Sequence, residues 1–345
     1  MGIALQTMTN ELTHVFLLSV GAFLLAMFLT PIYTFFAYRY RFWKRQRSES
    51  TDGKKLKVFA KFQAAKLRRN IPTMAGVIGV ISIFVVTIFF NLDRAQTWLP
   101  LAALVGGGIV GLIDDIINLR GLGGGAAGLR SPVKFALITL IGVVLGWFFF
   151  AKLGVASFHV PFVGEVNIGW LIIPLFAFAA VATGNAVNIS DGLDGLAGGL
   201  LGISFGAFGV IALLQQQVLL AGFCFTMVGV LLSYLWFNIY PARFFMGDVG
   251  SFAYGVSLGV VAMLTNSLLL LPVIGLLFVI EAGSSLIQIV SKKLFKRKIF
   301  LSAPIHHHLE AIGWPETKVT MRFWVIGCVM AFIGVMLALA GGHIA

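Results

Sequence analysis

Charged residues and cysteines are scarce in this sequence. Only 11% of the 345 residues are charged, whereas soluble globular domains average about a quarter. Because 59% of the residues are hydrophobic and the mean hydropathy is +0.97, a soluble globule is excluded and a polytopic membrane protein is predicted. The two cysteines, Cys224 and Cys328, both lie in apolar segments, which argues against a disulfide framework and predicts buried thiols.

Acidic residues are also few, at 13 against 25 lysines and arginines, and the distribution of the basic residues predicts the topology. A window of about 19 residues predicts ten spans, and if the odd-numbered spans run inward, one side holds 23 of the 25 basic residues. Since lysine and arginine crowd cytoplasmic loops, we expect both termini outside and no nucleic-acid binding from the net charge of +12. The predicted spans are about 12–37, 74–92, 97–116, 132–151, 168–186, 195–214, 217–237, 250–269, 271–291 and 319–340.

Three connecting segments carry local signals. Residues 54–69 alternate apolar and cationic positions, which is typical of a helix on an anionic membrane surface and also compatible with a solvated loop. Residues 155–170 have the alternation of a small hairpin with a turn at Gly164. The glycine-rich run 121–128 lacks the Lys and Ser or Thr of a Walker loop, so we interpret it as a flexible inner loop.

One polar stretch interrupts the hydrophobic sequence without being basic. Residues 184–199 read GNAVNISDGLDGLAGG and lie between two predicted spans. Carboxylates at a membrane are costly and are retained mainly for function. The glycines would let the backbone approach a ligand. We expect Asp191 and Asp194, one helical turn apart, to face the same group.

Five aspartates fall at predicted inner ends of spans, and we interpret them as one site on the cytoplasmic face. Any one of them alone is better explained as an ordinary interfacial carboxylate. Together, however, such carboxylates repel unless a cation lies among them, and oxygen ligands favour Mg²⁺ or Mn²⁺. Because Mg²⁺ is usually held by one or two carboxylates and by substrate phosphates, a phosphate or diphosphate substrate is expected. The five are Asp114, Asp115, Asp191, Asp194 and Asp248.

Histidines and one further acid complete the candidates. His306, His307 and His308 are adjacent, so they cannot all bind one ion from a helix. One or two could donate hydrogen bonds to a diphosphate, with metal storage or a chance surface cluster as alternatives. Glu281 lies deep in the ninth span, where a hydrogen bond to a neighbouring helix is expected and a helix break that opens a groove is the alternative.

Four strings carry a resemblance to a known family. They are NAVNISDGLDGLAGG (185–199), WFNIYPARFFMGDVGS (236–251), APIHHHLE (303–310) and GWPE with RFW (313–324), supported by IPTMAG (71–76) and IDD (113–115). The chain resembles the bacterial phospho-N-acetylmuramoyl-pentapeptide transferases of the polyprenyl-phosphate N-acetylhexosamine-1-phosphate transferase superfamily. The resemblance covers essentially the whole chain and implies one integral-membrane transferase domain, 1–345, in the bacterial cytoplasmic (inner) membrane.

The resemblance also implies residue roles. Asp248 would ligate Mg²⁺, Asp114 and Asp115 would be the paired aspartates at the polyprenyl phosphate and the metal, and either Arg68 or Arg69 would be the basic residue before IPTMAG. The implied catalytic set is Asp114, Asp115, Lys134, Asp248, His306 and His307. The implied substrate-binding set is Asn185, Asn188, Asp191, Gly192, Leu193, Asp194, Asn238, Phe245 and His308, with Phe245 stacking on uracil.

The reaction implied by the resemblance joins a soluble and a lipid substrate. The phosphate of polyprenyl phosphate would attack UDP-N-acetylmuramoyl-pentapeptide, releasing UMP and forming lipid I, directly or through a phosphorylated aspartate. The protein could act as a monomer or as a homodimer, and the sequence leaves both open. A related transferase that uses UDP-N-acetylglucosamine is the nearer alternative function. An ion-coupled transporter is more remote, because its acids should lie at mid-membrane between inverted repeats.

Overall fold

The structure, a computed structural model, describes residues 2–43, 70–121 and 128–343. The predicted surface helix at 54–69, the candidates Arg68 and Arg69, and residues 122–127 of the glycine-rich run lie outside the described residues. Helices dominate what is described, so the predicted all-α polytopic class is confirmed.

Twelve α-helices are present in the described part of the chain. The hairpin predicted within 155–170 is also present, as strands β1 (Ser157–Val160) and β2 (Gly164–Asn167) in an antiparallel pair. Short 3-10 turns at Gly169–Leu171 and Leu268–Leu270 precede α5 and α9. The helices are α1 Gly2–Arg39, α2 Gly76–Phe90, α3 Trp98–Arg120, α4 Ser131–Ala151, α5 Ile172–Ser190, α6 Leu196–Leu214, α7 Val218–Asn238, α8 Gly247–Leu264, α9 Leu271–Ile274, α10 Leu276–Leu294, α11 Ile305–Ala311 and α12 Glu316–Ala340.

Eight of these helices are long and apolar enough to cross a membrane. They are α1, α3 to α8 and α12, and the bent pair of α9 and α10 forms a ninth candidate. The remaining predicted span, 74–92, coincides with α2, which is apolar but only 15 residues long. Each predicted span thus corresponds to a helix or a bent pair, while ten complete crossings and the outside position of both termini remain predictions.

The helix break considered as the alternative for Glu281 is not found beside that residue. Helix α10 runs unbroken from Leu276 to Leu294 through Glu281. The break falls at Gly275, where α9 and α10 meet at 82°. A residue without a side chain accommodates such a change of direction most easily, whereas the Gly-Ser-Ser sequence after Glu281 stays helical.

The segments that connect the helices form two groups, one at each end of the bundle, and hydrogen bonds join segments within each group. At the first, called here the hairpin end, the amide of His159 donates to Asn266 Oδ1 at 2.8 Å and Gln96 Oε1 accepts from Leu219 N at 3.0 Å. At the second, called the carboxylate end, Phe245 N donates to the carbonyl of Pro72 at 2.9 Å. Segments predicted to share a membrane side therefore meet at the same end, and which end faces the cytoplasm remains a prediction.

Helix α8 forms the centre of the bundle. In its spanning window, 94% of the residues are buried, against 28% in α1, α4 and α12. Glycines let neighbouring helices approach it: a Cβ on Gly76 of α2 would collide with the Gly250 backbone. Such contacts between small residues are the usual means of close helix packing in membranes. The two thiols differ, because Cys224 is buried as expected but Cys328 is exposed on α12.

Candidate active site

The site begins with the close contact between α3 and α8. A Cβ on Gly111 would collide with the backbone carbonyl of Asp248, and one on Gly107 would lie 2.7 Å from the carbonyl of Phe252. The two backbones can therefore touch. Asp114 and Asp115 follow Gly111 by three and four residues, so they project from the same helix face. The sequence spacing of α3 thereby brings this acidic pair to the first turn of α8.

Three carboxylates converge there. Asp114, Asp115 and Asp248 each offer an oxygen within 4.8 Å of the others, and all three residues are buried. Lys134 of α4 lies beside them, with its Nζ 2.6 Å from Asp248 Oδ2 and 3.0 Å from Asp114 Oδ2. With all four groups ionised, one ammonium faces three carboxylates, so negative charge remains in excess.

Backbone amides hold the carboxylates in place. Leu129 N donates to Asp114 Oδ1 at 2.6 Å, and Val249 N donates to Asp115 Oδ2 at 3.1 Å. Gly247, which begins α8, has a φ of +71°, and a Cβ there would lie 2.5 Å from Asp115 Oδ2. Both the left-handed conformation and the close approach require glycine. The start of a helix also favours negative charge electrostatically.

These side chains could hold a metal ion. The resemblance names Asp248 as the metal ligand and places Asp114 and Asp115 beside the metal, and oxygens of all three lie within 4.8 Å of one another. Carboxylate oxygens are hard donors that suit Mg²⁺ or Mn²⁺ and not a thiolate-preferring ion. Because the excess of negative charge is buried, the donor set fits a divalent cation both by chemistry and by charge.

The polar stretch 184–199 lies next to this cluster. Asn188 donates from Nδ2 to Ser251 Oγ at 2.8 Å, and Ser251 is on α8 one turn beyond Asp248. Asn185 instead donates to Val181 O within its own helix at 2.8 Å. Asn188 thus connects the polar stretch to the helix that carries Asp248.

The expected helical relation between Asp191 and Asp194 is wrong, because α5 ends at Ser190 and a turn follows. Asp194 is buried and accepts from Ala242 N at 3.0 Å through Oδ2. Asp191 is half-buried in the same turn. Helical spacing therefore does not direct the two carboxylates to one group, and the five aspartates divide into a cluster of three and a pair in this turn.

Asn238 also holds this turn in place. Its Oδ1 accepts from Gly195 N at 2.9 Å, and its Nδ2 donates to Phe244 O at 2.8 Å. Leu193 is buried in the same turn, whereas Phe245 is half-buried. Both polar ends of Asn238 are engaged, so its geometry is that of a support for the loop.

The three histidines have three different partners. His306 Nδ1 lies 2.7 Å from Glu281 Oε2, and both residues are fully buried. His307 Nδ1 lies 2.7 Å from Glu310 Oε2. His308 Nδ1 accepts from Leu301 N at 3.2 Å. The expected hydrogen bond of Glu281 to a neighbouring helix is therefore present, and its partner on α11 is His306.

The histidine helix packs on the polar stretch. A Cβ on Gly192 would collide with Nε2 of His306, so only glycine allows this approach. Burial lowers the pKa of His307 from its usual value of 6.5, with further lowering by His306 and opposition from the Glu310 carboxylate. Near pH 7 this ring is neutral. When the ring proton is on Nδ1, where it faces Glu310, the other nitrogen of His307, Nε2, carries a lone pair. Nε2 then accepts a hydrogen bond and does not donate one.

The sequence reading overlooked several contacts. Glu310 lies three residues after His307, and the i,i+3 spacing on a helix could have indicated the pair. Ser251 also lies three residues after Asp248 within the string 236–251. The amide of Leu129 carried no signal, because any residue there supplies an N–H.

Comparison with known proteins identifies relatives along the chain. The family described as Glycosyl transferase family 4 matches residues 97–266. This range includes the three clustered aspartates and Lys134 but not the run His306, His307 and His308. Proteins named phospho-N-acetylmuramoyl-pentapeptide-transferase match over longer ranges.

That of Chloroflexus aggregans is 38% identical over 356 residues, covering 99% of this chain and 94% of its own length. That of Chloroflexus aurantiacus is 39% identical with the same coverage. The relative from Geobacillus thermodenitrificans is 36% identical over 323 residues, which cover 91% of this chain and 94% of that protein. With this identity along nearly its whole length, the chain belongs to the phospho-N-acetylmuramoyl-pentapeptide-transferase family.

Proposed function

We propose that this chain transfers phospho-N-acetylmuramoyl-pentapeptide from its UDP carrier to polyprenyl phosphate in peptidoglycan synthesis. A non-bridging oxygen of the lipid phosphate forms a bond to the β-phosphorus of the UDP-sugar. The bond from that phosphorus to the bridging oxygen of UMP breaks, and the electron pair leaves with UMP. The products are lipid I and UMP.

One observation carries this proposal beyond family membership. Asp114, Asp115 and Asp248 form a buried carboxylate cluster with Lys134 at one end of an apolar helix bundle. An end position suits a reaction between a soluble nucleotide sugar and a lipid. Phosphoryl transfer consists mostly of positioning and charge stabilisation, which charged groups at fixed positions can supply.

Lys134 and Asp114 would act on the lipid phosphate. A phosphate monoester has a second pKa near 6, so the nucleophile is already ionised at pH 7 and needs no strong base. The ammonium of Lys134 would bind it and reduce its repulsion from the diphosphate, while Asp114 orients it. When bound, Mg²⁺ supplies charge neutralisation at the diphosphate, and Asp114, Asp115 and Asp248 are the residues that would hold it.

The polar stretch and the histidines would form the nucleotide and sugar side. Asn188, Asp191 and Gly192 would contact the substrate, and Phe245 would stack on uracil. Leu193, Asp194, Asn185 and Asn238 would contribute by shaping the loop, in line with their contacts inside the protein. The lone pair on His307 suits acceptance of a sugar or peptide proton, and His306 and His308 would line the same side.

The cellular setting is part of the proposal. We propose that residues 1–345 act as one domain in the bacterial inner membrane, with the carboxylate end at the cytoplasm. A Cβ on Gly229 of α7 would collide with Ser19 of α1, and one on Gly199 of α6 would collide with Trp324 of α12. The first and last helices thus both pack on the middle of the chain, which supports a single domain. Assembly as a homodimer is retained as a proposal that analytical ultracentrifugation of the purified protein would test.

A single assay tests the reaction. Purified protein is incubated with polyprenyl phosphate, Mg²⁺ and either UDP-N-acetylmuramoyl-pentapeptide or UDP-N-acetylglucosamine, and UMP is measured. We expect UMP only from the first sugar nucleotide, only with lipid, and none after EDTA. Release from UDP-N-acetylglucosamine alone would assign the chain a different substrate. A radiolabelled phosphoprotein formed without lipid would establish the route through a phosphorylated aspartate.

A further inference from the structure

A basic segment includes the last residues of helix α10 and the residues that follow it. Lys293, Lys296, Arg297 and Lys298 lie within six residues and are all exposed. Large apolar residues alternate with them and are also exposed, namely Leu294, Phe295, Ile299 and Leu301 at 67%, 69%, 58% and 56%. Residues 293–301 are called here the basic tip. An exposed segment that combines cations with large apolar side chains has the composition of a membrane-surface anchor.

The basic tip is held in a defined shape by the helix it follows. Gln288 Oε1 accepts from Ile299 N at 3.0 Å and from Phe300 N at 3.1 Å, while its Nε2 donates to Phe300 O at 2.9 Å. Ser291 Oγ donates to Arg297 O at 2.9 Å. Both Gln288 and Ser291 are buried. Since the backbone is already ordered, a ligand of the basic tip would not need to order it.

The cations of the basic tip have no acidic partner within the described ranges. None of Lys293, Lys296, Arg297 and Lys298 forms an ion pair or a hydrogen bond through its side chain there. Some cations elsewhere are paired or stacked: Lys134 with two carboxylates, and Lys318 and Arg322 on the ring of Trp314. Four unpaired positive charges on one rigid loop favour an anionic ligand from outside the protein.

We propose that the basic tip is a binding site for the headgroups of anionic phospholipids. The tip continues a helix that is part of a candidate membrane span, so its charges lie near the headgroup layer. Leu294, Phe295 and Ile299 enter the acyl boundary while the cations contact phosphates. Each basic residue near an anionic surface adds to the attraction for anionic lipid. Excess cytoplasmic charge needed only for topology would require neither the ordered backbone nor the alternating apolar side chains.

The test measures lipid binding to the full-length purified protein by native mass spectrometry. Dioleoylphosphatidylglycerol and dioleoylphosphatidylcholine are titrated separately. The variant K293Q/R297Q is compared with wild type and with R94Q/K152Q, which removes one lysine and one arginine, both exposed, from the hairpin end. Backbone contacts of the tip are kept in both variants, and thermal unfolding in detergent checks that each is folded.

We expect the dissociation constant for the first phosphatidylglycerol to rise about 10- to 30-fold in K293Q/R297Q and less than about twofold in R94Q/K152Q. Phosphatidylcholine binding should be equal in all three proteins. Unchanged phosphatidylglycerol binding in K293Q/R297Q would overturn the proposal, as would equal loss in the two variants. If polyprenyl phosphate binding falls while phosphatidylglycerol binding stays, the tip serves the lipid substrate and the proposal is wrong.

Discussion

The two ends of the bundle both bury polar groups, but among the described residues only the carboxylate end brings three carboxylates together. At the hairpin end, His159 Nε2 lies 2.8 Å from Gly341 O and its Nδ1 lies 3.3 Å from Glu165 Oε1. Glu165 also accepts from Asn266 and Ser157. One carboxylate there has several donors, whereas at the carboxylate end three carboxylates converge and Lys134 contacts two of them, Asp114 and Asp248.

This difference separates a structural network from a candidate site. Buried polar groups with enough partners contribute to the fold and need no ligand. Buried like charges repel, and this repulsion is relieved when a cation binds or when one of the carboxylates is protonated. The carboxylate end is therefore suited to a divalent ion and phosphates. The following substitutions test whether the two ends differ in this way.

The largest effect is expected for D248N. The change removes one metal-ligating oxygen and the closer carboxylate partner of Lys134, and UMP release should fall by about 10³-fold. At the hairpin end, E165Q is the matched control, with less than a twofold change. Thermal unfolding shows whether both variants fold. Comparable activity in D248N and wild type would remove Asp248 from the proposed site.

Loss of Lys134 should be the next most severe change. K134Q leaves the carboxylates without their ammonium, so UMP release should fall by about 10²-fold. K134R keeps the charge and should retain more activity than K134Q, although its planar group cannot reproduce both short contacts. Equal activities of K134Q and K134R would show that the charge of this residue is not required.

Glu281 should act through His306. E281Q keeps a hydrogen-bond acceptor but removes the negative charge beside His306 Nδ1, and we expect kcat to fall about 10-fold. H306N should cost a similar factor, and the double variant E281Q/H306N should cost little more than either one, because residues in contact are not additive. Fully additive losses would contradict a positioning role for Glu281.

Phe245 should affect nucleotide binding more than turnover. Stacking of an aromatic ring on a base contributes about 1–3 kcal/mol, so F245A should raise KM for the UDP-sugar about 10-fold with a smaller change in kcat. F162A removes an exposed ring from the hairpin end and should leave both constants unchanged. An unaltered KM in F245A would argue against uracil stacking.

The smallest expected effect is on the pH dependence of stability, through His343 at the hairpin end. Burial, with help from the charge of His159, lowers the pKa of His343 from 6.5 to about 4. Between these values the unfolded chain binds more protons than the folded one, so the free energy of unfolding decreases as pH falls through this window. His307, whose pKa is also lowered, acts in the same direction.

H343N removes the contribution of His343 to this pH dependence. The decrease in melting temperature between pH 7 and 4.5 should therefore be smaller in H343N than in wild type by roughly 2–4 °C. Differential scanning fluorimetry in detergent measures it. H14N, on α1, is the control for removal of a histidine. An unchanged pH dependence in H343N would contradict the buried, neutral state of this ring.

Much of the fold could be predicted because it depends on local composition. Long apolar runs and basic loops indicated helices at every predicted span, and alternation near Gly164 indicated the hairpin. The break at Gly275 was not predicted, because a single glycine in an apolar run carries little signal. The exposure of Cys328 was missed because apolar residues face lipid as readily as the core of the bundle.

The candidate site was predictable by residue type more than by geometry. The excess of acids at one set of helix ends indicated a cation and a phosphate ligand, and Asp114, Asp115, Lys134 and Asp248 do lie together. The arrangement of Asp191 and Asp194 was not predictable, because it depends on where α5 ends. Likewise, each histidine orientation depends on which carboxylate is adjacent in space.

The sequence by itself determined that this protein is a helical membrane protein, how its loops divide into two groups, and which acids are unusual, because hydropathy and charge act residue by residue. The tertiary structure decided which acids meet. Gly107 and Gly111 permit contact between α3 and α8, and the resulting convergence of Asp114, Asp115 and Asp248 depends on backbones distant in the chain. Only the packed bundle makes three dispersed carboxylates one site.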